Sequence, residues 1–404
     1  MSEWPETWVP IVRMAARGDG VTADGRFVPA TVPGDRVRFD PFAVEPGPDH
    51  ATPPCRHFPD CGGCQMQHVT DPAYERWVTA RIMAALDAAK VAVGHLEPVA
   101  LSPPRSRRRA SLRAVKRGGQ LTLGFNADAS HRIVDMAECW VLTPRLFGLV
   151  APLRALLKAA LRDGAGAGVT LTESDTGVDL LLADVAARSL SEIERFNAFA
   201  AANDLARLSV ENEDGVEMVT EERPPTLRFG GEAVTLPPAP FLQATREGEA
   251  ALAAAVVTAV GDAGAVADLF CGLGTFALPL AKTAKVLAAD GSLSATAALG
   301  AAARGAGAMM LVEHRDLFRR PLTVAELARF DAVVFDPPRA GAVEQVRELA
   351  ASKVEVVVAV SCNPNTFARD AAILVDGGYR LERLWPVGQF RWSTHVELVA
   401  KFVR

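Results

Sequence analysis

No stretch of this chain stays apolar for the length that a bilayer crossing demands, and its first ten residues, MSEWPETWVP, lack the basic-then-apolar order of a secretion signal. Neither membrane insertion nor export is expected. Positive charge is not in excess either. A formal net charge of -5 argues against adhesion of the whole surface to nucleic acid, so any such site has to be a local basic patch. Cysteine is scarce: of six, three are bunched and three scattered, unlike the framework of a disulfide-stapled secreted protein. A cytoplasmic, reducing location is the expectation. At 404 residues the chain has room for two or three domains with large cores.

Short β-like runs at residues 7–14, 26–32 and 36–40, separated by Gly18-Asp19-Gly20 and Pro33-Gly34-Asp35, predict a small N-terminal barrel. Residues 41–54 have the proline and glycine content of a linker. Trp77, Val78, Ile82 and Leu86 recur at helical spacing. Residues 145–225 read as mixed α/β, with helices near 146–161 and 190–203 and strands near 169–172 and 178–184. From residue 241 the alternation becomes regular. A helix near 247–260 precedes strands at 265–270, 285–290, 308–313, 331–335 and 354–361. Runs at 379–385 and 395–402 have no room for a crossover helix between them, which predicts an antiparallel pair closing a doubly wound sheet.

Two polar clusters stand out before that sheet. Cys55-x5-Cys61-x2-Cys64, with Cys139 further on, offers four thiolates for a tetrahedral zinc or an iron–sulfur cluster. A zinc ribbon usually has two CxxC knuckles and only one is present, so the spacing favours a [4Fe–4S] cluster without settling the choice. The second cluster is the most basic segment of the chain: Arg105, Arg107, Arg108, Arg109, Arg113, Lys116 and Arg117. Alternating apolar residues there predict strands that present the arginines on one face, a surface for RNA phosphates.

The chemistry is expected at strand ends. DLFCGLGTF (268–276) is a glycine-rich turn between strand and helix, in which Gly272 and Gly274 allow close approach of a ligand. Asp290, at the end of the next strand, has the position to hold two ribose hydroxyls. A dinucleotide site would want a third glycine where Ala277 stands, a departure some dinucleotide folds tolerate. DPPR (336–339), an acid and two prolines at another strand end, is typical of sites that handle a nucleobase beside S-adenosylmethionine. The strand at 356–360 runs straight into Ser361-Cys362-Asn363-Pro364, which puts a thiol where ligands bind.

Taken with Phe241-Leu-Gln243, SCNPNTFARD (361–370) and His395-Val-Glu397, these motifs give the chain a resemblance to the RNA uracil-5-methyltransferase family, and within it to the iron–sulfur 23S ribosomal RNA branch. The resemblance spans residues 55 to 397 in the family's order. It implies an α/β class I S-adenosylmethionine-dependent methyltransferase (Rossmann-like) domain at 236–404. It further implies a TRAM-like, RNA-binding β-barrel at 1–50 and a central α/β iron–sulfur and RNA-binding domain at 51–235, of which a segment at about 72–98 packs on the catalytic domain. Cys362 would then be the nucleophile that adds to C6 of uracil, and Glu397 the base that removes the C5 proton. Gln243, Phe270, Asp290 and Asp316 would contact the methyl donor, with Asp336 at the junction of donor and base. Cys55, Cys61, Cys64 and Cys139 would hold the cluster, in a structural or RNA-positioning role. The target base has to leave its stack to reach Cys362. Thr245 and Thr275 stand where the family often has Asn, and Cys271 fits the family's glycine turn as a packing residue.

The function expected is transfer of a methyl group from S-adenosylmethionine to C5 of a uridine in 23S rRNA, by a monomer without a protein partner. The same reaction on tRNA, a catalytically inactive iron–sulfur RNA-binding protein, and cytosine-5 methylation are the competing readings. The last usually sets its nucleophile in a Pro-Cys or Thr-Cys-Ser context, whereas Cys362 precedes Asn-Pro.

Overall fold

The computed structural model describes residues 8–185, 187, 189–213 and 215–404. Residue 7, the first of the predicted N-terminal strand, lies outside the described residues. Among them no helix is long and apolar enough to cross a membrane.

Three large sheets and one two-stranded hairpin, Thr226–Phe229 with Glu232–Thr235, are formed among the described residues. The first is antiparallel, in the order Phe27–Val28, Gly20–Thr22, Val9–Met14, Arg36–Phe39, Phe42–Glu45. Its core is small, formed chiefly by Ile11, Val28 and Val37. The expected barrel strands are present, but the two edge strands do not pair with each other, so the sheet is open. Strand Phe42–Glu45 also corrects the linker assigned to residues 41–54. Phe42 and Val44 alternate with neighbours and return across a two-residue turn onto Arg36–Phe39.

The second sheet has six strands, ordered Gly215–Glu221, Leu205–Asn212, Val178–Ala183, Gly166–Glu173, Arg109–Arg117, Gln120–Gly124. Its one parallel pair, Val178–Ala183 with Leu205–Asn212, is bridged by helix Leu190–Ala202. Ser189 and Glu192 start that helix with a reciprocal capping box. Leu112, Leu153, Leu171, Phe196 and Leu208 meet in the core between sheet and helices.

The third sheet carries the site. Its path runs Met310–His314, Lys285–Asp290, Ala265–Leu269, Ala332–Phe335, Val356–Ser361, Glu397–Val403, Arg380–Gly388, Val93–Leu96. The first five strands are parallel, and Glu397–Val403 and Arg380–Gly388 form the predicted antiparallel pair. Ala265–Leu269 is buried along most of its length and Ala332–Phe335 throughout, which is why, Asp268 apart, they read as apolar runs. Strand Val93–Leu96, from far earlier in the chain, adds itself in parallel to Arg380–Gly388. Helix Asp71–Ala88 packs Tyr74, Trp77, Ile82 and Leu86 into the core on one face of this sheet, with helices Val343–Ala351 and Pro364–Asp376. Helices Arg246–Val260 and Leu293–Ala306 cover the other face. The chain reverses its winding direction at Ala265–Leu269, and a crevice opens at the carboxyl ends beside it.

Candidate active site

That crevice is a cavity of about 630 Å³, with Gln243, Phe270, Gly272, Asp290, Asp316, Asp336, Cys362 and Glu397 in its wall. Eight side chains or backbones singled out from the sequence thus meet in one place. The glycine turn explains part of this. Gly272 adopts a left-handed φ of 52°, and its N–H donates to Asp290 Oδ2 at 2.9 Å. Ser292 N donates to the other oxygen, Oδ1, at 2.7 Å, so Asp290 is aimed by two backbone donors while keeping lone pairs for a ligand. Asp316 is likewise fixed by the N–H of Phe318 at 3.1 Å. Phe270 meets Phe318 at a ring separation of 5.3 Å, and both line the cavity. Phe318 carried no motif in the sequence; only its placement beside Phe270 marks it.

Gly274 departs from expectation. It does not line the cavity. A Cβ at this position, where φ is 90°, would lie 2.4 Å from Leu299 Cδ1 of helix Leu293–Ala306. Its glycine serves close packing of turn on helix rather than ligand contact.

Three ionisable groups face one another at the inner end. Cys362 is the first residue after strand Val356–Ser361, and Asn363 caps helix Pro364–Asp376 directly behind it. Burial pushes the Cys362 thiol up to about 11, with the charges of Glu397 and Asp336 adding to the rise and Arg339 opposing it. Burial raises Asp336 to about 7. Glu397, 5% exposed at the start of strand Glu397–Val403, is raised to about 8 by burial and then by Asp336. Asp268, wholly buried beneath the turn, is pushed well up by burial and by Asp336. Asp336 and Glu397 are therefore raised toward neutrality, poised to take or release protons in the physiological range. Gln243 Nε2 lies 3.4 Å from Asp336 Oδ2. Cys271 is buried in the core behind the turn, consistent with packing.

Cys55, Cys61, Cys64 and Cys139 border a second, small cavity together with Phe58, Phe125 and Trp140. All four thiols are raised by burial, Cys64 to about 12. Against that rise, backbone amides hydrogen-bond three of the sulfurs: His57 to Cys55, Gly63 to Cys61, and Val141 and Leu142 to Cys139. The Gln67 side chain does the same for Cys64. Donors aimed at sulfur favour thiolates, as a thiolate-ligated group requires. Among the described residues, no group of three or more His, Cys, Asp or Glu is disposed to hold a single metal ion.

The arginines divide. Arg105 is exposed and lies over the Trp140 ring at 4.3 Å. Arg107 sits between Phe125 and Phe390, and Arg109 is partly buried on the same strand edge. Arg113 is exposed, 3.9 Å from Asp184. Arg108 contradicts its assignment as an RNA contact. It is 1% exposed, ion-paired to Glu249 and donating to Gln243 O at 3.2 Å. Alternation carried back from strand Arg109–Arg117 puts it on the buried side with Ala110, Leu112 and Ala114.

Comparison with known proteins agrees with this geometry. The sequence model of the tRNA (uracil-5-)-methyltransferase family matches residues 245–402. An uncharacterized RNA methyltransferase of Zymomonas mobilis is 47% identical over 98% of this chain and 99% of its own. A 23S rRNA (uracil(1939)-C(5))-methyltransferase of Shewanella amazonensis is 31% identical over 93% of this chain and 90% of its own. The crystal structure of a Pyrococcus abyssi tRNA (uracil-54, C5)-methyltransferase, in complex with S-adenosyl-L-homocysteine, shares the fold. It superposes with a TM-score of 0.78 over 98% of this chain and 100% of that one, at 21% identity. Fold and site together define an S-adenosylmethionine-dependent RNA methyltransferase. The chain belongs to the RNA (uracil-5-)-methyltransferase family.

Proposed function

We propose that this enzyme methylates C5 of a uridine in 23S rRNA through a covalent adduct with Cys362. The observation that carries the reading is the meeting of Cys362, Glu397, Asp336 and Gln243 in the same cavity as the Gly272–Asp290 clamp. C5 of uracil is a weak nucleophile, so a thiolate has to add first. Cys362 gives its proton to a facing carboxylate and bonds to C6, moving the C5–C6 electron pair into an enolate. S-Adenosylmethionine supplies the methyl from its sulfonium, to which C5 bonds, leaving the neutral thioether. Glu397 then takes the C5 proton, the C6–sulfur bond breaks, and the double bond returns. Gln243, Phe270, Asp290 and Asp316 would hold the donor. Arg105, Arg107, Arg109 and Arg113 would bind RNA phosphates, along with the N-terminal sheet in a TRAM-like role. The four cysteines would hold a [4Fe–4S] cluster that keeps this region folded. The proposed division is 1–50, 51–235 and 236–404, with the segment at about 72–98 going with the catalytic part, and the reaction belongs in the cytoplasm.

The 23S assignment draws on the Shewanella relative. Its rival is tRNA, favoured by the full-length fold likeness to the Pyrococcus enzyme. An inactive RNA-binding protein has no need of Cys362, Glu397 and Asp336 on the wall of one cavity. The test is methyl transfer from labelled S-adenosylmethionine to unmodified 23S rRNA and to unmodified tRNA, using anaerobically purified protein and nucleoside mass spectrometry. 5-Methyluridine in rRNA alone is expected. Label in tRNA alone discards the substrate, and label in neither discards the reaction. Cys362→Ala should form no covalent adduct with RNA containing 5-fluorouridine, whereas wild-type protein should.

A further inference from the structure

We propose that one face of helix Pro364–Asp376, with its cap Asn363, is a positioning clamp that fixes the acid loop 336–342 against the nucleophile Cys362. This rests on the roles given to Cys362 and Asp336 above. Both residues line the same cavity, and each lies at one end of the clamp. Cys362 stands between two residues that are tied across it, Ser361 Oγ accepting the Asn363 N–H at 3.2 Å. Asn363 caps the helix through Oδ1, which accepts the Asn365 N–H at 3.1 Å, while its Nδ2 donates to the Arg339 carbonyl at 3.1 Å. Thr366, one turn further on, brings its hydroxyl within 3.1 Å of the same carbonyl. Asn363 O, 3.2 Å from that hydroxyl, is already taken by the Phe367 N–H at 3.0 Å and the Ser361 hydroxyl at 3.3 Å. The Thr366 proton is therefore left to Arg339 O. Arg369 Nη2 donates to Ala340 O at 3.0 Å, and Asp370 Oδ2 accepts the Ala342 N–H at 3.0 Å. Four side chains from one side of the helix thus grip the backbone of residues 339–342.

The loop is shaped to be held. Its turn is closed by the Gly341 N–H on Pro338 O at 2.9 Å. Gly341 has a φ of 76°, and a Cβ there would lie 2.4 Å from Arg369 Nη2 and 2.5 Å from Asp370 Oδ2, so glycine alone lets the backbone come this near. Arg369 and Asp370 also pair with each other, Nη2 to Oδ1 at 2.7 Å, which fixes the carboxylate that holds Ala342. The other side of the helix packs Phe367, Ala371 and Leu374 into the core, giving the clamp a rigid mount. Pro337 and Pro338 restrict the chain between Asp336 and Arg339, so a pinned Arg339 carbonyl restrains Asp336 as well. One helix thereby sets both the thiol that precedes its cap and the carboxyl across from it. Groups placed in this way before RNA arrives need no rearrangement during the reaction. The residues of SCNPNTFARD beyond the nucleophile acquire a role by the same geometry.

Thr366→Val removes the hydroxyl and keeps the shape of the side chain, whereas Thr366→Ser keeps the hydroxyl. The measurement is the rate of covalent adduct formation with RNA containing 5-fluorouridine, in the presence of S-adenosylmethionine, across a range of RNA concentrations and beside the thermal midpoint. Thr366→Val should lower the rate at saturating RNA about tenfold, as loss of one aligning hydrogen bond implies. The half-saturating RNA concentration should stay within about twofold of wild type, because the clamp does not face the RNA phosphates. Thr366→Ser should recover most of the rate. A folded Thr366→Val protein with the wild-type saturating rate overturns the positioning role. So does a loss confined to the half-saturating concentration, a loss that follows loss of the fold, or a loss that Thr366→Ser does not repair. Wild-type protein that forms no adduct removes the parent reading and the positioning role with it; an active wild type matched by Thr366→Val removes the positioning role alone.

Discussion

Glu397 binds its proton more tightly in the folded protein than in the unfolded chain, because burial and Asp336 both oppose its charge. Its contribution to stability is therefore complete below the ordinary glutamate value near 4.5 and is lost as pH rises through about 8. Glu397→Gln should consequently gain stability relative to wild type between pH 5 and pH 9, on the order of a few kcal/mol. The same variant should stall turnover with RNA attached. Thermal unfolding at the two pH values, beside a denaturing gel for the adduct, checks both. A constant difference in midpoint across that range would contradict the raised carboxyl. Asp336, raised to about 7, titrates in an overlapping window and is present in both proteins. The cost of holding neutral carboxyls in the site thus falls on stability at high pH, where the base is most fully charged.

At the scale of elements, strand ends and the helices that follow them set the distances in the site. Helix Leu293–Ala306 begins at Ser292, whose N–H holds Asp290, and it packs through Leu299 against Gly274. Gly274→Ala adds a methyl in a left-handed conformation and into Leu299. It should destabilise the protein by about 1–3 kcal/mol and weaken S-adenosylhomocysteine binding through Asp290. Denaturant unfolding and calorimetric titration measure the two; unaltered binding in a destabilised variant would confine Gly274 to packing. The inner parallel strands were legible from the sequence because they are largely buried on both faces and read as mostly apolar runs. Strand Val93–Leu96 was not, because its partner Arg380–Gly388 lies almost three hundred residues away and its own four residues carry no period. Phe42–Glu45 was hidden by neighbouring prolines and glycines that act as turn signals.

For the whole molecule, the early part of the chain is built into the catalytic part. Helix Asp71–Ala88 shares the core of the third sheet, and the N–H groups of Gln65 and Met66, just after Cys64, both donate to Trp392 O. Tyr74 Oη donates to Ser393 O at 2.8 Å. The loop leading to Glu397 is thereby held by the cysteine-bearing segment. Arg108 and Arg113, close together on one strand region, should behave in opposite ways for this reason. Arg108→Ala leaves Glu249 buried without its partner and should cost about 3–5 kcal/mol. Arg113→Ala should stay within about 0.5 kcal/mol of wild type, yet weaken RNA binding and flatten its salt dependence by about one counterion. Unfolding midpoints and RNA titrations at several salt concentrations distinguish them. Equal stability losses, or RNA binding by Arg113→Ala with an unchanged salt slope, would undo the division of these arginines.

The identity of the chemical groups was determined by sequence alone: a cysteine at a strand end, an acid before two prolines, a glycine turn with an acid on the following strand, four cysteines in a 3 + 1 arrangement. Those patterns are local, and each is dictated by what a strand end or a tight turn requires of its residues. Tertiary structure alone decided which way each group points. Alternation of neighbouring residues turns Arg108 inward, and close packing turns Gly274 toward a helix. Contacts between distant segments bring Phe318 beside Phe270 and Gln389 against Gln243. Burial and proximity are properties of the folded chain, so the raised proton affinities of Asp336, Cys362 and Glu397 exist only once those segments have met.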